Sequence, residues 1–307
     1  DTLFPASTKI LDENHLLKEV AFYDDFESGG SGWTLDNNFE VGWPDGNQIG
    51  SQKNPESPFN GNSILATDLD GPYLTSIDSG SMYFAYTPEI DLTYYVRPEL
   101  NYHNQTLISG SDQAVADYSI DGGVTWHNFW LSTGANNNSY WFEIHNKNLS
   151  DIAKRQPQFQ LRFGIVHSET VEWPGFGIDN FAIIAEKLHT DVGVTDIISP
   201  YDNCINCGSD TVKVWFRNYA DGAAPDTIPV YYGLWGADSV IVTDTIFGGI
   251  AKDDSVLFTF NQKAIFPRGD FYDNFIVGVD LAGDQDSEND TLTKALVMQN
   301  YYAPTHL

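Results

Sequence analysis

A chain of 307 residues has room for two domains at about 100 to 200 residues each, with enough length for real cores. Fifteen Lys and Arg against 43 Asp and Glu leave a formal charge of −28, which repels phosphate backbones and anionic lipid and argues against nucleic-acid binding and electrostatic membrane docking. A hydrophobic fraction of 41% is too high for a disordered acidic tail, and no apolar run approaches the roughly 18 to 20 residues that a membrane-spanning helix needs.

Along the chain, helical periodicity is nearly absent. In Thr8 to Val20 the residues Ile10, Leu11, Leu16, Leu17 and Val20 could share a face, but Asp12, Glu13 and Asn14 interrupt it. This stretch is expected to be a short helix or an extended lead-in arm, residues 1–20. From there the pattern has period two. Phe159, Leu161, Phe163 and Ile165 alternate with Gln160 and Arg162, and Val212, Val214 and Phe216 alternate with Lys213 and Trp215. Val256, Phe258 and Phe260, then Phe275, Val277 and Val279, repeat it, which is the mark of half-buried antiparallel strands. Turn clusters such as Asp36-Asn37-Asn38, Pro44-Asp45-Gly46 and Asn136-Asn137-Asn138 punctuate these strands. Many short strands without intervening helices predict an all-β chain of sandwiches or jelly rolls. Composition shifts after Ile183-Ile184, so the expected division is a domain over 21–187, a smaller one over 188–298, and a C-terminal arm over 299–307.

Four local motifs invite a chemical reading. Ser119-Ile120-Asp121-Gly122-Gly123-Val124-Thr125-Trp126 has the pattern S-x-D-x-G-x-T-W of an Asp-box, a hairpin device that recurs once per blade in sialidase propellers; a single copy reads as structure. Trp43 and Trp173 stand in loop-like Trp-Pro contexts where a ring could stack on a sugar face, although tryptophan in a sandwich more often belongs to the core. Cys204 and Cys207 form one C-x-x-C, without the second pair of a four-thiolate zinc site and without a strand-to-helix redox context. A loop disulfide between them is favoured over free thiols and fits an oxidising, extracellular setting. Asp284 to Asp290 is an oxygen-rich stretch that reads as an acidic turn before the last strand rather than a calcium loop. There is no G-x-S-x-G elbow and no H-E-x-x-H helix, and no strand carries acidic residues alternating with aromatics, so no enzyme is expected.

The order Asp24-Asp25-Phe26-Glu27, Gly32-Trp33-Thr34, Tyr86-Thr87-Pro88-Glu89-Ile90-Asp91-Leu92 and Gly175-Phe176-Gly177-Ile178-Asp179-Asn180 resembles the MAM-like jelly-roll modules of secreted proteins, without the cysteines of the eukaryotic versions. Asp191-Val192-Gly193-Val194, Asn218-Tyr219-Ala220-Asp221-Gly222 and Glu288-Asn289-Asp290-Thr291 resemble CARDB-like immunoglobulin sandwiches of bacterial surface proteins. The pair is similar to pieces of large secreted proteins of the Bacteroidota. The resemblance implies a jelly-roll β-sandwich followed by a smaller immunoglobulin-like β-sandwich. It also implies a structural calcium shared by Asp25, Glu27 and Asp179, with Asp68 and Asn62 as supplementary ligands. Asp-[Ser/Thr]-apolar triplets resemble the O-glycosylation motif of such proteins and mark Thr211, Thr227, Ser239, Thr245, Ser255 and Thr291. The expected function is that of a non-catalytic extracellular module pair of a bacterial cell-surface or filament protein, serving adhesion, spacing or assembly with neighbouring modules or copies of itself. The alternative is a glycan-binding accessory region of a secreted hydrolase.

Overall fold

The computed structural model describes residues 10–11, 17–36, 39–49, 52–73, 82–110, 112–133, 138–166, 173–201, 208–235, 240–266 and 271–297. Cys204, Cys207, Ser239 and the arm 299–307 lie outside them. The chain divides into two compact units, 1–187 and 188–307. Both are all-β and built from antiparallel pairs, and among the described residues no helix is long and apolar enough to cross a membrane.

The first unit is a sandwich whose described residues form a seven-stranded and a five-stranded sheet. The larger sheet is organised by strand Gly175–Lys187, in which every residue but the last is buried. It pairs with Tyr95–Leu107 along one edge, and with Leu17–Asp24 and Ile64–Thr67 along the other. Asn138–Asn148 pairs with Tyr95–Leu107 and is an edge strand. In the smaller sheet, Gln113–Ser119 lies between His127–Thr133 and Gln160–Val166, with Met82–Tyr86 beyond. The period-two pattern works as expected here: Phe159, Leu161, Phe163 and Ile165 are all buried while Gln160 and Arg162 are half-buried. The core between the sheets is dense in aromatics. The ring of Phe181 lies 5.3 Å from Trp33, 5.9 Å from Phe22 and from Phe163, and 6.3 Å from Tyr102.

Of the two forms expected for the lead-in, its last residues take the extended one, and they belong to a strand of the first unit rather than to an arm ending at residue 20. Leu17–Asp24 is a strand, not a helix, because its partner is the central strand and its backbone bonds go there. Lys18 is buried and pairs with Glu99 at 2.5 Å, so an inward position is occupied by a charge that hydropathy assigns to solvent.

The second unit has a three-stranded sheet, Val192–Ser199, Lys213–Asn218 and Ser255–Thr259. Facing it is a four-stranded sheet of Val240–Phe247, Thr227–Trp235, Phe271–Val279 and Thr291–Val297. Seven main strands in two antiparallel sheets are the immunoglobulin-like arrangement. Val214, Phe216, Val230, Tyr232, Phe275 and Val277 fill the space between them. Three of the Asp-[Ser/Thr] pairs act locally on the backbone, since Asp210, Asp244 and Asp254 each accept the amide of the residue that follows, at 2.7, 2.8 and 2.8 Å. Thr227 and Thr291 are exposed first residues of their strands.

The acidic stretch 284–290 folds as a turn stitched to the start of the first strand. Asp284 accepts the amides of Val192 and Asp286, and Asn289 donates to Asp191. Asp290 has a buried Oδ1 with no partner among the described residues. Its burial, with the charges of Asp284, Asp191, Asp286 and Asp280 added, lifts its carboxyl to about 7.

Two outcomes follow from these cores. Phe181→Ala removes the ring at the centre of the aromatic cluster and lowers the stability of the first unit by about 3–5 kcal/mol, measured by denaturant unfolding. For Asp290 the folded state holds the proton more tightly than the unfolded chain, so its contribution is complete below the ordinary carboxylate range and is lost as pH rises through about 7. Thermal midpoints of the second unit at pH 5 and pH 8 should therefore differ less in Asp290→Asn than in the wild type; equal slopes would remove the assignment.

Candidate functional site

A cleft of about 520 Å³ opens at one end of the larger sheet of the first unit. Its sheet side is supplied by Gln105, from Tyr95–Leu107, and by Ser139, Tyr140 and Trp141, from the edge strand. The opposite wall is the segment 48–57, which carries the short pairing of Gln48–Ile49 with Gln52–Lys53.

The edge strand has an irregular register at the cleft. Asn138 faces Thr106 and Phe142 faces Asn104, so three residues, 139 to 141, stand opposite Gln105 alone. Such a bulge leaves backbone groups unpaired and re-aims side chains. Gln105 Nε2 donates to the freed carbonyl of Ser139 at 2.8 Å. Trp141 turns inward and its Nε1 donates to the Ser57 carbonyl at 3.1 Å, which ties the 48–57 wall to the sheet. Tyr140 is sent outward and is 73% exposed. Behind Trp141, the ring of Phe59 stacks on His103 at 3.5 Å with a 14° interplanar angle. Burial of His103 holds its imidazole below the usual histidine range, with Glu143 acting in the opposite direction.

The polar side chains of the cleft are oriented by backbone carbonyls. Asn54 Nδ2 donates to Gly71 O at 3.0 Å, and Gln48 Nε2 donates to Gln52 O at 2.7 Å. A carbonyl only accepts, so each contact fixes which end of the amide faces the protein. Lys53 pairs with Glu56 at 2.7 Å on the exposed rim.

A second grouping lies at the end of strand Leu17–Asp24. Asn180, at φ 50°, forms a bulge with Asp179, where the register to Tyr95–Leu107 slips. Asparagine tolerates this left-handed backbone, and the bulge carries the buried Asp179 carboxylate to the amides of Asn60 and Asn180, at 2.9 and 2.7 Å. Glu27 accepts the amides of Asn62 and Ser63 at 2.6 and 2.7 Å. Asp25 accepts the amide of Glu27 at 3.2 Å. Burial lifts Asp179 to about 6 in spite of its amide donors, and the charge of Glu27 adds to the rise. Burial, then the charges of Asp25, Asp179, Asp24 and Glu27, push the Tyr23 hydroxyl to about 12. Three of the four carboxylates expected to hold calcium are therefore electrostatic neighbours. The fourth, Asp68, accepts the amides of Asp70 and Gly71 within its own turn. The carboxylates of Glu27 and Asp179 face the 59–63 loop, and among the described residues no three acidic, histidine or cysteine side chains converge on one centre.

The remaining sequence candidates separate. Trp173 is half-buried and packs against the core, and Trp43 is 53% exposed but does not line the cleft. The Asp-box closes its hairpin: Asp121 accepts from Thr125 N and Oγ1 and from Ser119 Oγ, and these bonds, led by the Thr125 hydroxyl, hold its carboxyl at about 2. Trp126 packs against Tyr86 and beneath the Arg162 guanidinium. Sequence reasoning passed over Tyr140, Trp141, Gln105 and Asn54. The available signal was Tyr140-Trp141-Phe142, three aromatics in a row where alternation allows only every second residue to face a core.

No family model matches the chain, and no curated protein matches it. Among solved structures it is similar to the CBM22-1 and GH10 modules of endo-1,4-β-D-xylanase 10B from Clostridium thermocellum, with 16% identity over 53% of this chain and a TM-score of 0.33. This chain spans 28% of that one. The K3 cleaved adhesin domain of Lys-gingipain from Porphyromonas gingivalis is similar at 15% identity, over 53% of this chain and 98% of that one, with a TM-score of 0.34. The CBM22-1 xylan-binding domain from Paenibacillus barcinonensis Xyn10C is similar at 15% identity, over 55% of this chain and 96% of that one, with a TM-score of 0.33.

Proposed function

We propose that this chain is a non-catalytic extracellular module pair of a bacterial surface or secreted protein, MAM-like then CARDB-like, and that its first unit holds a glycan chain in the cleft beside Tyr140. The observation that carries this reading is the composition of the cleft. It places an exposed tyrosine ring next to amide side chains held in fixed orientations, which is the combination of apolar face and directed hydrogen bonds that a sugar ring presents in complement. The non-catalytic reading is supported by the carboxylates: among the described residues Glu56 alone lines the cleft and it is paired with Lys53, whereas glycoside hydrolysis needs two carboxyl groups flanking the bond. Adhesion to glycan surfaces through the first unit, with the second as a spacer, unites this site with the architecture.

A glycan array probed with the whole chain should give binding that Tyr140→Ala lowers at least about tenfold, or 1.4 kcal/mol, with the thermal midpoint unchanged because the ring is largely in solvent. Binding that is indifferent to Tyr140 would move the site elsewhere.

The same reading includes a structural calcium held by Asp25, Glu27 and Asp179, supported by their grouping around Tyr23, whose hydroxyl is raised first by burial and then by the charges of all three. At calcium a hundredfold above its dissociation constant the first unit should gain about 2.7 kcal/mol, which a chelator reverses and Asp179→Ala abolishes. A thermal midpoint indifferent to both calcium and chelator would remove the metal from the proposal.

A further inference from the structure

We propose that the cleft selects uncharged, hydroxyl-rich glycans over acidic ones, and that the side-chain oxygen of Gln105 is the specificity-determining acceptor. This rests on the glycan-binding reading above and names the ligand class of that site. Gln105 is 6% exposed, its Nε2 is engaged by Ser139 O at 2.8 Å, and the contact leaves Oε1, on the far side of the amide, without a partner among the described residues. Asn54, 1% exposed, repeats the arrangement on the opposite wall, with Nδ2 on Gly71 O and a buried Oδ1 that accepts nothing among the described residues. Of the two oxygens, Asn54 Oδ1 is closed off from solvent, which leaves Gln105 Oε1 as the one a ligand hydroxyl can donate to. The indole N–H of Trp141 is likewise engaged, by Ser57 O. Beside donors such as the Ser57, Ser139 and Tyr140 hydroxyls, the cleft thus offers a ligand the acceptor oxygen of Gln105, which suits a polyhydroxyl donor.

An anionic sugar meets the opposite. Its carboxylate or sulfate has no proton to give the Gln105 oxygen, and Lys53, the one basic side chain lining the cleft among the described residues, is paired with Glu56. Residues 1–187 carry nine Lys and Arg against twenty-six Asp and Glu, so the surrounding field opposes a polyanion as well.

The test is calorimetric titration of the whole chain with cellohexaose, xylohexaose, mannohexaose and laminarihexaose, each compared with hexagalacturonate. At least one neutral hexasaccharide should bind at least about tenfold more tightly than hexagalacturonate. Gln105→Met, which keeps the length and removes the acceptor, should weaken that neutral ligand about tenfold. Because Gln105 also ties down Ser139, a second measurement uses the unaltered protein: the O-methylated form of the same hexasaccharide, which keeps the rings and loses the donors, should bind at least about tenfold more weakly. Hexagalacturonate binding as tightly as the neutral sugars overturns the inference. So does undiminished binding by Gln105→Met, or by the methylated probe, when Tyr140→Ala still lowers affinity, and in either case the glycan site itself survives. If none of the five hexasaccharides binds, the glycan reading falls and takes the inference with it.

Discussion

The first unit depends on the burial of strand Gly175–Lys187, and within it on Phe181. A strand hidden over twelve successive residues must satisfy its backbone through neighbouring strands, since no water reaches it. That requirement places Leu17–Asp24, Ile64–Thr67 and Tyr95–Leu107 beside it. The tilted and edge-to-face contacts that Phe181 makes with Phe22, Trp33, Tyr102 and Phe163 join this sheet to the one carrying Gln160–Val166. Both candidate sites are anchored here. Asp179 and Asn180 interrupt the same strand immediately before Phe181, and Gln105 stands on its immediate partner.

Charge is the second constraint. With 43 acidic and fifteen basic residues, most carboxylates have no cationic partner to find, and the fold answers with backbone amides. Asp121 closes a hairpin, Asp68 a turn, and Asp210, Asp244 and Asp254 cap the residue that follows each of them. A carboxylate with good amide donors stays low, as at Asp121 and Glu27. Where burial outweighs the donors the carboxyl rises instead, as at Asp179 and Asp290. The short reach of Asp suits this work, which accounts for the sixteen Asp against one Glu in residues 188–307 without any appeal to metal.

The cleft arises from irregularity rather than from regular pairing. A continuous ladder along Asn138–Asn148 would place Tyr140 and Trp141 opposite successive residues of the neighbouring strand. The bulge frees the Ser139 carbonyl for Gln105, and Trp141 holds the 48–57 segment across the gap. An edge strand can accept such a bulge cheaply because it has a partner on one side only.

Strand periodicity and turn composition were enough to establish the all-β character and the sandwich class, because alternation and Gly, Asn and Asp turns report local backbone preference and one-sided burial directly. Phe159, Leu161, Phe163 and Ile165 show this, as does the Asp-box, whose side-chain bonds lie within eight residues. The strand at Leu17–Asp24 was not legible in this way: its identity is set by a partner some 160 residues away, and its buried Lys18 conceals the pattern. The cleft was hidden for the same reason. Gln105, Asn54 and Tyr140 are unremarkable residues in sequence, and only the tertiary register decides that two amides line one cleft beside an exposed ring, since each amide is oriented by a backbone carbonyl from a different part of the chain.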